Sequence, residues 1–414
     1  IQVVDNYQTI ENNTKKYYFR FEGTKTQENN DKKIIAEKFE LNLNDYQNKS
    51  SNNIFLSFFK DEEKIKSKKE DDLIISIKKN VVIDMSSQDI LNMIAVGCWG
   101  VYCDGGEYII AKYKENKLKQ DTVIRGQLQV ANALVNYTKT HNISDMYLAG
   151  DNIYQVGIST DSKDRVDEFM EHKMRLVEEL VGKVPDPLHN FNMDLQISQG
   201  FEQCFNRARI ERFFLAVGNH DIENCDVLNK QYNYKGWNIP SLYYNVIYNM
   251  KNFKINIIVL DTNMFEDEPV TCLQIPFSFQ QIGKQIEWAL KVSKLGDWNI
   301  VIGHIPYFAN GHKKKNHPVV KTHLYQLIKK MAPQLYICAD EHNKQFIQYE
   351  NTSIVIAGSG GTALDPILEA VKGTEYMSSS FGFVSYQISK DVLRLSFIST
   401  SGEDEFVREI KRLL

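Results

Sequence analysis

The sequence predicts an α/β layered fold preceded by a small strand-rich unit. From about Leu91 onward, short apolar runs alternate with stretches whose apolar residues recur at helical spacing, the pattern of strands and helices stacked in layers. Before that point, short runs, several of them alternating, are separated by polar tracts, as in an all-strand unit. At 414 residues the chain is too long for one ordinary domain. It divides on this reading into residues 1–90, an appendage of unknown role, and residues 91–414.

In the first part, Tyr17-Tyr18-Phe19-Arg20-Phe21, Phe39 to Leu43, Ile54 to Phe59 and Leu73 to Ile77 read as strands. Gln27 to Asn30 and Glu62 to Asp72 read as polar, charged loops, and no chemistry is evident there. In the second part, Ile94-Ala95-Val96, Met146-Tyr147-Leu148, Phe213 to Val217, Ile255 to Leu260, Ile300-Val301-Ile302 and Leu335-Tyr336-Ile337 read as buried strands. Between them, Leu128, Ala131, Leu134 and Val135 share one helical face, and Ile282, Ile286, Ala289 and Leu290 share another. In such folds ligands bind beyond the carboxyl ends of the strands.

Composition narrows the function classes. With 43% hydrophobic and 25% charged residues the chain can bury a sizeable core, which excludes a disordered protein. The net charge is only -4, and apart from short runs such as Lys313 to Lys315 the two signs are intermixed, so nucleic acid is not an expected partner. No run approaches the roughly 18 apolar residues of a membrane-spanning helix. The chain opens at Ile1 with no basic-then-apolar leader, as a processed secretory protein or a trimmed chain would. Asn12, Asn48, Asn136, Asn142 and Asn351 each begin an N-x-Ser/Thr triplet, which points to a secreted glycoprotein in a lumenal or extracellular setting. None of the six cysteines forms a CxxC pair; Cys204 and Cys225 could bridge in an oxidising compartment, and buried thiols are the alternative.

The chemistry lies at the strand ends. Four strands run directly into Gly97-Cys98-Trp99-Gly100, Gly150-Asp151-Asn152, Gly218-Asn219-His220-Asp221 and Gly303-His304, and a fifth into Ala339-Asp340-Glu341-His342-Asn343. A small residue lets the chain turn sharply, so that the next side chain points into the crevice. One Gly-Asp alone would be a turn former. Five such exits in one chain can converge on a metal pair.

This order resembles the calcineurin-like metallophosphoesterases, and its detail resembles the tartrate-resistant purple acid phosphatases, over roughly three quarters of the chain. Gly150-Asp151-Asn152-Ile153-Tyr154 is similar to the family's GDNFY element, Gly218-Asn219-His220-Asp221 to GNHD, and Gly303-His304-Ile305-Pro306 to GHYP. Further matches lie at Leu260-Asp261-Thr262, Gly358-Ser359-Gly360 and Phe381-Gly382-Phe383. The resemblance implies a four-layer α/β/β/α sandwich of two mixed sheets over residues 91–414. It also implies a dinuclear centre of iron, zinc or manganese that hydrolyses phosphomonoesters. Carried over by position, one metal would be held by Cys98, Asp151, Tyr154 and His342, and the other by Asp151, Asn219, His304 and Asp340. His220 and Asn152 would contact the phosphoryl group. His312 would protonate the leaving alcohol, with His317 competing because the spacing is one residue short.

Two positions depart from the pattern. Cys98 stands where GDWG has Asp, and Asp340 where GHDHN has its first His. Both replacements can bind metal, and thiolate favours zinc over ferric iron. The resemblance extends to degenerate glideosome-associated relatives of apicomplexan parasites, in which this fold serves as a scaffold. Two functions therefore stand open: a rewired phosphomonoesterase, or a pseudophosphatase with one metal or none that presents its surface to partner proteins.

Overall fold

The computed structural model describes residues 2–11, 14–25, 32–35, 79–100, 126–153, 197, 201–202, 204–222, 228, 231–266, 279–311, 318–362 and 364–412. Contacts divide the chain into two units, Ile1–Asp72 and Leu73–Leu414. In the first, β1 (Gln2–Glu11), β2 (Thr14–Lys25) and β3 (Lys32–Ile35) form an antiparallel sheet in that order. The run Tyr17 to Phe21 lies in β2; the runs predicted at 39–43, 54–59 and 73–77, and both predicted loops, lie outside the described residues.

The second unit holds two mixed sheets. One has six strands, in the order β17 (Asp404–Lys411), β16 (Val392–Ser399), β15 (Gly382–Ile388), β5 (Leu91–Val96), β6 (Asp145–Ala149), β7 (Arg212–Ala216). The other has eight, in the order β14 (Thr374–Ser378), β12 (Lys344–Tyr349), β13 (Thr352–Ala357), β11 (Leu335–Cys338), β10 (Trp298–Ile302), β9 (Lys254–Val259), β8 (Tyr244–Met250), β4 (Asn80–Met85). Strand β4 precedes residue 90 in sequence and pairs in parallel with β8. Every strand predicted in residues 91–414 is present; β5 begins at Leu91 and β10 at Trp298, ahead of their predicted starts at Ile94 and Ile300, and the other bounds agree to within a residue.

Period-two alternation explains the layers. Along β5, Leu91, Met93 and Ala95 enter the slab between the sheets, while Ile94 and Val96 point to the opposite face. In β6, Tyr147 and Ala149 face the slab and Met146 and Leu148 face away; in β7, Phe214 and Ala216 contrast with Phe213 and Leu215. Strands buried on both faces read as continuous apolar runs, which is why they were visible in the sequence. The outer face of the six-stranded sheet is covered by helix α1 (Gly126–Thr140), which buries Val130, Ala131 and Leu134 and half-buries Leu128 and Val135. Helices α2 (Phe279–Val292) and α3 (Pro318–Met331) follow β9 and β10, burying Ile286 and Ala289, and Leu324, Leu327 and Ile328. No helix among the described residues is long and apolar enough to cross a membrane.

In the parallel runs β5-β6-β7 and β9-β10-β11, neighbouring strands end together. The exits of the two sheets adjoin: a Cβ on Gly97, after β5, would lie 2.4 Å from that of Ala339, after β11. The fold thus brings the five predicted exits to one rim.

Candidate metal centre

The backbone at this rim is held in an unusual shape. Among the described residues five non-glycine positions have positive φ, and three of them are Cys98 (53°), Asp151 (53°) and Asp340 (61°). A left-handed conformation costs a residue with a Cβ about 1–3 kcal/mol and persists only where its surroundings impose it. At Cys98 they do so by hydrogen bonds: its N–H donates to Gly150 O at 3.0 Å, and its carbonyl accepts from Thr362 N at 3.2 Å and Thr362 Oγ1 at 2.9 Å. The preceding glycines leave room for the donors. A Cβ on Gly150, itself at φ 89°, would lie 2.4 Å from His304 Nδ1, and one on Gly218 would lie 2.3 Å from Asp151 Oδ1.

Cys98, Asp151 and His342 offer ligand atoms that all lie within 4.8 Å of one another, with Cys98 Sγ 3.9 Å from Asp151 Oδ2. A second group gathers around His304. Its Nδ1 lies 2.9 Å from the carbonyl of Ala149, which can only accept, so Nδ1 carries the hydrogen. Nε2 then faces three oxygens: Asn219 Oδ1 at 3.1 Å, Asp151 Oδ1 at 3.2 Å and Asp340 Oδ1 at 3.7 Å. Only a cation, proton or metal, is stable among four such lone pairs. Burial disfavours a charged imidazole here, but Asp151 and Asp340 outweigh it and raise the His304 pKa to about 9. The donor set fits two metal ions sharing Asp151: thiol, carboxylate and imidazole on one side, two carboxylates, an amide oxygen and an imidazole on the other.

Around the donors lies a shell that sequence reading left without roles. Asp221 is buried and accepts five N–H bonds, from the backbones of Asn152 (2.9 Å), Ile153 (2.9 Å) and Gly218 (2.7 Å) and from the side chains of Asn152 (3.1 Å) and Gln231 (3.1 Å). It ties the loop carrying Asp151 to the loop carrying Asn219. Burial and the nearby Asp151 charge push its carboxyl up to about 7, against the pull of those donors. Thr262 Oγ1 accepts from the backbones of His304 (3.1 Å) and Ile305 (3.0 Å), and Asp365 from that of His342 (2.9 Å). The Leu260-Asp261-Thr262 match flagged the neighbourhood of Thr262; Asp365 follows the Gly358-Ser359-Gly360 match but is not part of any matched motif.

Of the predicted site residues, Cys98, Asp151, Asn219, His304, Asp340 and His342 come together as described. His220 is half-buried at the same rim, and its backbone N–H donates to Asp151 Oδ1 at 3.2 Å. Asn152, assigned on sequence to substrate contact, is buried. Its amide donates to Ala216 O at 2.9 Å and to Asp221, and accepts from Trp99 Nε1 at 3.0 Å, which gives it a part in holding the loops together. Tyr154, His312, His317 and the Lys313–Lys315 run lie outside the described residues. Cys204 is buried, and Cys225 also lies outside them.

Comparison with known proteins agrees with this geometry. Residues 94–344 match the family model described as calcineurin-like phosphoesterase. The chain is 25% identical over 248 residues to human tartrate-resistant acid phosphatase type 5, covering 53% of this chain and 74% of that enzyme. The rat enzyme of the same name is 24% identical over 250 residues, covering 54% and 75%. Among solved structures, GAP50, the anchor in the inner membrane complex of Plasmodium, superposes with a TM-score of 0.58 at 16% identity, over 79% of this chain and 90% of that one. The purple acid phosphatase PPD1 of yellow lupin seeds does so at 0.51 and 13% identity, over 96% and 59%. At these identities the superpositions speak for the fold alone.

Proposed function

The chain belongs to the calcineurin-like phosphoesterases, and from that premise we propose that it is a hydrolase of phosphomonoesters working through a dinuclear centre with altered ligands. The observation that carries this reading is His304 Nε2 turned onto the oxygens of Asn219, Asp151 and Asp340, beside the Cys98–Asp151–His342 group. Both residues that depart from the family pattern point into the centre as donors. Strained backbone at three of the ligand positions supports a retained function, since an empty scaffold has no need of it.

When bound, the metal pair would supply an activated water and draw charge from the phosphoryl oxygens. The chain's residues do the rest. Asp151 is shared between the two halves; Cys98 and His342 complete one, and Asn219, His304 and Asp340 the other. Asp221 fixes the two loops so that Asp151 and Asn219 keep their spacing. His220, half-buried at the rim, would hydrogen-bond the phosphoryl group, and His312 or His317 would return a proton to the leaving alcohol. Tyr154 would join Cys98 and His342. A lumenal or extracellular setting accompanies this reading, supported by Asn136, Asn142 and Asn351, each exposed at its acceptor triplet.

The test is metal content and p-nitrophenyl phosphate hydrolysis, read on the same samples of wild type and Asp151→Ala. Two metals per chain with turnover, both lost in the variant, are expected. Protein that folds and holds no metal under any loading condition would instead mark a scaffold.

A further inference from the structure

The two halves of the centre are chemically unlike. One is built on a thiol, with a carboxylate and an imidazole; the other has three oxygen donors and one imidazole. We infer that they take different ions: the Cys98–Asp151–His342 half is a thiolate site for a soft or borderline divalent cation such as zinc(II), and the Asp151–Asn219–His304–Asp340 half an oxygen-rich site for a harder divalent cation such as manganese(II). This deepens the reading of the protein as a metallophosphoesterase and rests on it.

A buried cysteine is more often a small apolar side chain than a ligand, and the protein contains its own example for contrast. Cys338 lies within β11, buried on all sides, its Sγ 3.5 Å from Val355 O, and burial pushes its thiol well up from the ordinary value. Among the described residues Cys338 belongs to no cluster of metal-ligating atoms. Cys98 is equally buried but differs in three respects. It lies past the end of its strand, not within it. Its backbone is left-handed, a conformation that suits glycine or asparagine and that a space-filling cysteine would not favour. Its sulfur faces a carboxylate oxygen at 3.9 Å and shares a 4.8 Å cluster with His342. His342 is itself anchored, its N–H donating to Asp365 Oδ2 at 2.9 Å with the ring Nδ1 3.9 Å from the same oxygen. Such outer partners orient a ligating imidazole.

Thiolate selects zinc(II), cobalt(II) and similar ions over manganese(II) and magnesium(II), which prefer carboxylate and carbonyl oxygen. Iron(III) is a hard ion that favours oxygen donors, so the thiol half selects a softer divalent cation over it. The centre is thus expected to hold two divalent ions of different kinds and to lack an iron(III) chromophore.

The experiment is cobalt(II) titration of the chelator-stripped full chain, followed by absorbance, with Cys98→Ser alongside. A thiolate-to-cobalt charge-transfer band should grow with one equivalent, be bleached by one equivalent of zinc(II), resist excess manganese(II), and be absent from Cys98→Ser. Zinc affinity of that half should fall at least about tenfold in the variant. Manganese(II) electron paramagnetic resonance should report one remaining bound ion after zinc is added. Should Cys98→Ser fail to fold, the band in wild type still decides. Two equivalents of cobalt bound with no such band would overturn the thiolate site while leaving the metallophosphoesterase reading intact. A band bleached as readily by manganese as by zinc would overturn the selectivity. One cobalt with the band and no turnover after any loading would overturn the hydrolase and the second ion together.

Discussion

Ala95 and Ala149 lie in the apolar slab between the two sheets, and only a few residues further along the chain, past the ends of their strands, are Cys98 and Asp151, buried just as completely. The slab is filled with side chains such as Tyr147, Phe214, Val246 and Ile257 that satisfy period-two alternation and have regular backbone. The rim holds thiol, carboxylate and imidazole in left-handed or sharply turned backbone. A slab residue stabilises the fold by what it fills. A rim donor held in left-handed backbone costs stability through its strain, which a bound cation would offset.

The largest effect should separate the two regions outright. Phe214→Ala in the slab opens a cavity between the sheets and should cost about 3–5 kcal/mol. The variant that remains folded should still load metal as wild type does; urea unfolding and elemental analysis on the same preparation check both halves of that expectation. Loss of metal at full folding would mean that slab and rim are one cooperative device.

Asp221→Ala should cost about 3 kcal/mol, because it strands several of the five buried N–H donors that now converge on one carboxylate. Unlike the slab variant, it should also lower metal affinity roughly 10–100-fold, since the loops of Asp151 and Asn219 lose their common tether. Isothermal titration of the stripped protein measures this. An unchanged affinity would show that the strand ends alone fix the ligands.

The rim should also carry a pH signature that the slab lacks. His304, raised from 6.5 to about 9 in the metal-free protein, binds its proton more tightly folded than unfolded. Its contribution to stability is therefore fully present below about pH 6.5 and is lost as pH rises through about 9. Thermal midpoints of chelated protein should fall across that window, and the slope should flatten once metal displaces the proton. Equal slopes with and without metal would remove His304 from the centre.

How far each region could be read from sequence follows from the same contrast. The slab was legible because burial on both faces writes continuous apolar runs, and all six predicted strands are present in the sheets. The donors were legible because each lies within three residues after a small residue at a strand end. The supporting contacts were not: Asp221 looks like a motif passenger, Asp365 belongs to no matched motif, and Lys344, which pairs with Glu405 across the two sheets, reads as an ordinary surface lysine. Most of these contacts join residues 10 to 69 positions apart, and a single sequence does not record such pairings. Strand β4 escaped because half of it is exposed and its run is short.

The smallest effect gives the finest discrimination. Ala332 and Glu350 also have positive φ, at 47° and 50°, but both lie in turns: Ala332 directly after α3, and Glu350 in the turn between β12 and β13. Nothing chemical is gained from the strain at Ala332, whose N–H simply closes the helix by donating to Ile328 O at 2.8 Å. Ala332→Gly should therefore stabilise the protein by about 0.5–1 kcal/mol, with metal content unchanged. Asp340→Gly relieves the same kind of strain at the rim, yet it removes a donor facing His304. Its metal-free form should lose little stability, and the gain on adding manganese(II) should disappear. Comparing the two thermal midpoints with and without metal separates strain that the fold merely tolerates from strain that holds a ligand in place; if both variants respond alike to metal, the left-handed backbone at Asp340 has no part in binding.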